Sequence, residues 1–108
     1  MASSTGRIRA LNDDLRSSGR GGTTVITAGI AALCDDSQAT IMAAVQSFTD
    51  FTPDNDPYGE HDCAVLEAAG QRVLFKIDYY DRQLCGHSVD AADPAVTHRV
   101  LLNRPSLS

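Results

Sequence analysis

Apolar residues Ile8, Leu11 and Leu15 recur at helical spacing behind two hydroxyl residues. The pattern predicts a first helix capped by Ser4 or Thr5, with Arg7, Arg9 and Arg16 turned outward. Ser17-Ser18-Gly19-Arg20-Gly21-Gly22 then breaks the periodicity and reads as a flexible connector. It does not read as a phosphate-cradling loop, because no Lys-Ser/Thr pair follows and a strand comes next. The β-branched run at 23–28 predicts a short strand closed by Gly29, and 30–33 predicts a helical turn. Asp35, Asp36 and Ser37 supply N-cap candidates for a second helix over 37–49. Ile41, Met42, Ala44, Val45 and Phe48 would form its core stripe.

Residues 52–60 cannot be regular structure. Pro53 and Pro57 lack an N–H and push their predecessors to extended geometry, Gly59 permits a tight turn, and Asp54, Asn55 and Asp56 can fold back onto nearby amides. Residues 61–68 and 71–80 read as a hairpin around Gly70, with Val73, Phe75, Ile77 and Tyr79 facing the core. An Ala69-Gly70 turn sets Glu67 opposite Arg72 and His61 opposite Asp78. A Gly70-Gln71 turn sets His61 opposite Tyr80. In either register the exit of the 51–62 loop neighbours the end of the second strand, residues 78–81. A polar connector over 81–92 leads to Asp93-Pro94, a helix-start signal for a last helix over 94–103 docked by Val96, Val100 and Leu101 and stopped by Pro105. Arg99 and Arg104 would sit at that helix's C-terminal end. The expected fold is α+β: a small antiparallel sheet of about three strands with helices packed on one face, in the order α-β-α-β-β-α.

A chain of 108 residues makes one domain spanning 1–108, with frayed ends at 1–4 and 104–108. No apolar run approaches a membrane span, and the N-terminus lacks a secretory pattern, so a cytoplasmic protein is expected. Cys34, Cys63 and Cys85 are odd in number and show no CxxC spacing, which points to reduced, mostly buried thiols and not to a zinc site. Charge changes the picture more. Residues 1–22 carry four arginines against Asp13 and Asp14, whereas residues 35–93 carry twelve acids against Arg72, Lys76 and Arg82. With a net charge of −5, the chain would be repelled by nucleic-acid phosphates and attracted to a basic protein surface.

The segments 51–62 (FTPDNDPYGEHD) and 76–81 (KIDYYD) hold all three tyrosines and six acidic residues. Asp54, Asp56, Glu60, His61 and Asp78 could supply oxygen and imidazole ligands to a divalent cation that activates water for hydrolysis. The spacing matches no EF-hand, and adjacent His61 and Asp62 would point to opposite faces of a strand. No GxSxG motif appears, and Cys85 has no base in its local sequence, so nucleophilic catalysis has no visible support. The plainer reading makes these carboxylates acceptors for loop amides. The alternative to a metal site is a partner-binding surface formed by Asp54, Asp56, Tyr58, Glu60, Asp78, Tyr80 and Asp81, with tyrosines as anchors and no cofactor.

At TPDNDPYGEHD and KIDYYD the chain resembles an uncharacterised, domain-of-unknown-function family of small bacterial proteins carried on alphaproteobacterial chromosomes and mobile elements. The resemblance runs from Arg7 to Leu101 and includes IRALND in the first helix, TAG at 27–29 and ADPAVT at 92–97; the ending RPSLS departs from the family's longer apolar one. The resemblance carries no activity to transfer. The first functional expectation is a non-enzymatic, acidic interaction protein that binds a basic surface, with no direct nucleic acid and no membrane. Carriage on a mobile element would make it an inhibitor of a nucleic-acid-handling defence complex, of anti-CRISPR type. The second expectation is the small metal-dependent hydrolase. The third is a homo-oligomer, a dimer, through the hairpin's outer face at Cys63, Val65 and Leu74.

Overall fold

The computed structural model describes residues 4–106. Helix α1 (Ser4–Ser18) leads to β1 (Gly22–Ile26), the short α2 (Ala28–Ala31) and α3 (Asp35–Gln46). After the loop come β2 (Cys63–Ala68), β3 (Gln71–Tyr80) and β4 (His98–Pro105). The fold is α+β, but its sheet has four strands in the order β1-β4-β3-β2. It is mixed: β1 runs parallel to β4, while β3 is antiparallel to both β4 and β2.

The largest departure from expectation is β4, where a helix over 94–103 was predicted. Asp93-Pro94 makes a tight turn instead: the Asp93 carboxylate accepts from Ala95 N at 2.9 Å, and its carbonyl accepts from Val96 N at 3.2 Å. Beyond the turn Arg99, Leu101 and Asn103 are buried while their neighbours are only half-buried, a period of two. Two of the three inward residues are polar, which hid the alternation. As a central strand β4 satisfies the ladders of both β1 and β3, an arrangement no helix could replace. The expected loose tail is therefore strand through Pro105, and Ser4 already belongs to α1; residues 1–3 and 107–108 lie outside the described residues.

The hairpin forms in the first of the two registers, with Glu67 opposite Arg72 and Cys63 opposite Lys76. Ala69 and Gly70 both take positive φ, 54° and 72°, the geometry a two-residue turn needs to follow the strand twist. Helices α1 and α3 cover one face of the sheet. Leu15, Ile41 and Val45 meet Ala64, Val73, Phe75, Ile77 and Leu101 in one core, closed at the end by Ile30 of α2. Cys34, not Asp35, Asp36 or Ser37, is the N-cap of α3, leaving both aspartates in the first turn where the helix dipole favours them. In α1 the inward stripe includes Asn12 and Arg16, both buried, so Arg16 does not point outward as its charge suggested.

Gly22 leaves no room for a side chain between β1 and β4: a Cβ there would collide with the backbone carbonyl of Arg99. Gly22→Ala should lower stability by about 1–3 kcal/mol as β1 is pushed off the sheet, read as a lower urea midpoint at unchanged slope. Gly86→Ala, whose Cβ would meet nothing closer than Asp81 Oδ2 at 3.8 Å, should stay within about 0.5 kcal/mol of the parent.

Candidate functional site

The loop 51–62 is irregular but closely held. Asn55 accepts from Thr52 N through its side chain at 2.8 Å and donates to Asp50 O at 2.9 Å. Asp56 N reaches Thr52 O at 2.8 Å, Gly59 N reaches Asp56 O at 3.1 Å, and Asp56 Oδ1 accepts from His61 N at 3.1 Å. From α1, Arg9 donates to Gly59 O at 3.3 Å and Asn12 to Glu60 O at 3.0 Å. Carboxylate and amide side chains thus replace the ladder that two prolines deny the segment.

His61 sits at φ 56°, a conformation β-carbon sterics disfavour, and its side chain is fixed on every side. Its ring stacks on Phe51 with centroids 3.9 Å apart and planes 4° apart. Nδ1 lies 2.9 Å from Asp13 Oδ1 and Nε2 lies 3.5 Å from Asp56 Oδ2. Both ring nitrogens therefore face carboxylates, and neither is free for a ligand. Arg16 completes the cluster, donating to Asp13 at 3.0 Å and Phe48 O at 3.3 Å, its guanidinium 5.1 Å above the Phe51 ring.

A second polar network lies beneath the loop. Asn12 Nδ2 donates to the Tyr79 hydroxyl at 2.8 Å, which donates to Glu60 Oε1 at 2.8 Å. Asn12 Oδ1 accepts from Arg99 Nε at 2.8 Å, and the other end of that guanidinium donates to Ala91 O. Arg99 is 2 % exposed and stacks over the Tyr79 ring at 5.1 Å. Burial pushes its guanidinium below its ordinary value. Burial likewise pushes the Tyr79 phenol well up, and Glu60 reinforces this. The phenol is thereby kept protonated as the donor Glu60 requires.

The expected site residues do not meet on one surface. Asp56 is buried under the loop, and Glu60 is turned to Tyr79. Asp81 is spent on its own turn, accepting from Gln83 N and Cys85 N at 3.0 Å each. Asp78 and Tyr80 project from the sheet face opposite the helices, where Asp78 lies 3.3 Å from Lys76. The sheet separates them from the loop. His61 does not reach Asp78 despite the register that would align them, because β2 begins only at Cys63 and the positive φ turns His61 toward α1. Of the metal set Asp54, Asp56, Glu60, His61 and Asp78, only Asp56 and His61 are therefore in contact, while Glu60 is turned to Tyr79 and Asp78 lies on the other face of the sheet. Among the described residues no group of three or more His, Cys, Asp or Glu side chains is arranged to hold a metal ion.

What remains outward on the loop is Asp54 and Tyr58, the latter 78 % exposed. Asp54 and nearby Asp50 carry carboxylates with no partner among the described residues. An open cleft of about 540 Å³ lies between the start of α1 and the loop, lined by Thr5, Arg9, Phe51, Pro53, Tyr58 and His61. Asn12, Asp13, Arg16 and Arg99, which build this region, were not singled out from the sequence. Their signal was their position: Asn12 and Arg16 fall on the apolar stripe of α1, and Arg99 falls in phase with Leu101.

A family model described as "Protein of unknown function (DUF3768)" matches residues 26–102. The match takes in the loop, the hairpin, Tyr79 and Arg99. No curated protein and no solved structure shows a significant match. Among the described residues no helix is long and apolar enough to cross a membrane.

Two variants test the networks. Asn12→Ala removes the acceptor of the buried Arg99 and a donor to both Tyr79 and Glu60, so urea unfolding should show a loss on the order of 3 kcal/mol. The Asp62 carboxyl is raised above its ordinary range, first by burial and further by Glu60 and Asp56. A carboxyl with a folded value above its unfolded one carries no penalty below the unfolded value, and the full penalty above the folded one. Asp62→Asn should therefore raise the thermal midpoint at neutral pH, and the gain should vanish as pH falls below the ordinary carboxylate range.

Proposed function

The chain belongs to the DUF3768 family of proteins of unknown function, and from that premise we propose that it is a non-enzymatic binding protein whose contact surface is the 51–62 loop, with Tyr58 as the anchor and a basic protein surface as the partner. The observation that carries this reading is the contrast between Tyr58, 78 % exposed, and the backbone beneath it, which is hydrogen-bonded at Thr52, Asn55, Asp56, Gly59, Glu60 and His61. A large aromatic on a loop that is already ordered loses little entropy on binding and offers apolar area with a polar tip. A free carboxylate lies in the same segment at Asp54 and another just before it at Asp50, and the net charge is −5. These favour a cationic partner and steer its approach.

A groove that tracks nucleic-acid phosphates has the required charge. A protein that occupied one would exclude the nucleic acid and act as an inhibitor, the anti-CRISPR mode being one instance. The clustering of side-chain contacts also argues against turnover at this surface: the loop's histidine and its buried aspartate line the cleft but are paired with each other, and the histidine also with Asp13 of α1.

Affinity capture from a lysate of the source cells at low salt, with wild type, Tyr58→Ala and Asp54→Asn in parallel, tests the reading. Wild type should retain a basic partner whose binding weakens as salt rises. Tyr58→Ala should weaken binding to the purified partner by about tenfold or more, and Asp54→Asn should chiefly flatten the salt dependence. Binding that is indifferent to both Tyr58 and salt would sink the proposal.

A further inference from the structure

Strand β2 is an edge of the sheet, and Glu67 is the one charged residue along it. Ile77 N bonds to Asp62 O at 2.7 Å, and the ladder alternates from there, so Ala64, Leu66 and Ala68 exchange hydrogen bonds with β3. The N–H and C=O groups of Cys63, Val65 and Glu67 consequently point away from the sheet, and they have no partner among the described residues. Between Cys63 and Ala68 there is no proline, no lysine and no bulge, and Val65 is 43 % exposed. Natural sheets normally protect such an edge. The opposite edge is shorter: β1 has five residues.

We propose that β2 pairs antiparallel with β2 of a second copy of this chain about a two-fold axis at Val65, joining two four-stranded sheets into one. The occupant follows from the register. Centred on Val65, the pairing sets Val65 opposite the partner copy's Val65 and Cys63 opposite its Glu67, each a hydrogen-bonded pair using outward groups only. Side chains opposite each other share a face, so rows can be read across the joint sheet from the β2–β3 register. The central row is Leu74, Val65, and the same two residues from the second copy in reverse, all apolar. Each flanking row runs Arg72, Glu67, then Cys63 and Lys76 of the second copy. The acid of each copy is thus flanked by its own arginine and the other copy's Cys63, with the other copy's lysine one strand further along the row. No like charges face each other along the seam, although the chain as a whole is acidic. A one-residue slip would instead direct bonded groups at unbonded ones, and a two-residue slip would set Cys63 or Glu67 of each copy opposite a residue outside β2, so only the Val65-centred register pairs all three outward positions within the strand.

Sedimentation velocity over a range of concentrations tests the pairing with the full chain. Wild type should reach a mass twice that of the monomer. Val65→Pro deletes the central outward N–H, a position where an edge strand tolerates proline, and should give a monomer with an unchanged circular dichroism spectrum. Glu67→Cys should form a covalent dimer on mild oxidation, with mass spectrometry locating the bond between residue 67 of one copy and Cys63 of the other, since hydrogen-bonded pairs stand about 5.5 Å apart at Cα. A wild-type chain monomeric at every concentration would overturn the proposal. So would a dimer that survives Val65→Pro, cross-links in another register, or β2 captured by a foreign strand.

Discussion

A guanidinium cannot be buried without partners, and Arg99 is buried at the middle of the molecule. Desolvating a cation costs several kcal/mol unless its donors and its charge are answered. Here the answers come from four different parts of the chain. Asn12 on α1 takes Nε, the carbonyl of Ala91 in the connector takes the outer nitrogen, the Tyr79 ring on β3 covers the flat face, and Glu60 at the exit of the loop supplies negative charge through the Tyr79 hydroxyl. These contacts tie α1, the connector, β3 and the loop to one buried group. The constraint thereby fixes how the helix, the connector and the loop sit on the sheet, which a purely apolar contact would specify less sharply.

Asn12 is the residue on which that constraint turns. Its amide has one acceptor and two donor positions, and the structure uses the acceptor for Arg99 and the donor group for Tyr79 and Glu60. Arg16, one turn further along α1, performs a parallel task for the upper cluster by joining Asp13, Phe48 O and the Phe51 ring. The polar stripe of α1 therefore acts as a template against which the 51–62 segment is shaped. That explains how a segment with two prolines and a left-handed histidine remains ordered: the strain at His61 is offset by stacking and by two carboxylates.

How much of this could be read from the sequence depended on whether a signal was local. The hairpin was legible because Val73, Phe75, Ile77 and Tyr79 alternate cleanly and Ala69-Gly70 fits a two-residue turn. The helices α1 and α3 were legible from their apolar spacing, and the loop from its prolines. Strand β4 was not, because Asp93-Pro94 is a strong local helix signal and the inward positions of the strand are filled by Arg99 and Asn103. Their burial is a property of the assembled core and is invisible until Asn12 and Tyr79 are in place. The division of the candidate site residues between two faces was hidden for a related reason. Proximity along the chain put the 51–62 loop beside residues 78–81, and it does bring Glu60 to Tyr79. The alternation of β3 nevertheless sends Tyr79 to one face and Asp78 and Tyr80 to the other. A period of two divides what contiguity suggests should act together.

The two proposed surfaces are linked by that same hairpin. The loop ends where β2 begins, so its position relative to the β2 edge is set by the Asp62–Ile77 bond and by the packing of His61 against α1. In a dimer centred on Val65, Asp62 of one copy aligns with Ala68 of the other, and the two loops stand at opposite ends of the paired strands. Six residues at strand rise separate them by roughly 20 Å along the seam. A partner with a long basic groove could engage both Tyr58 side chains at once, and the second contact would then be made at a high effective concentration. Modest affinity at each loop would suffice under that geometry, which matches a contact surface built from one exposed aromatic and a few free carboxylates instead of a broad apolar patch. In such a dimer the edge strand would do more than satisfy three unpaired backbone positions: it would set the spacing at which the two loops are presented.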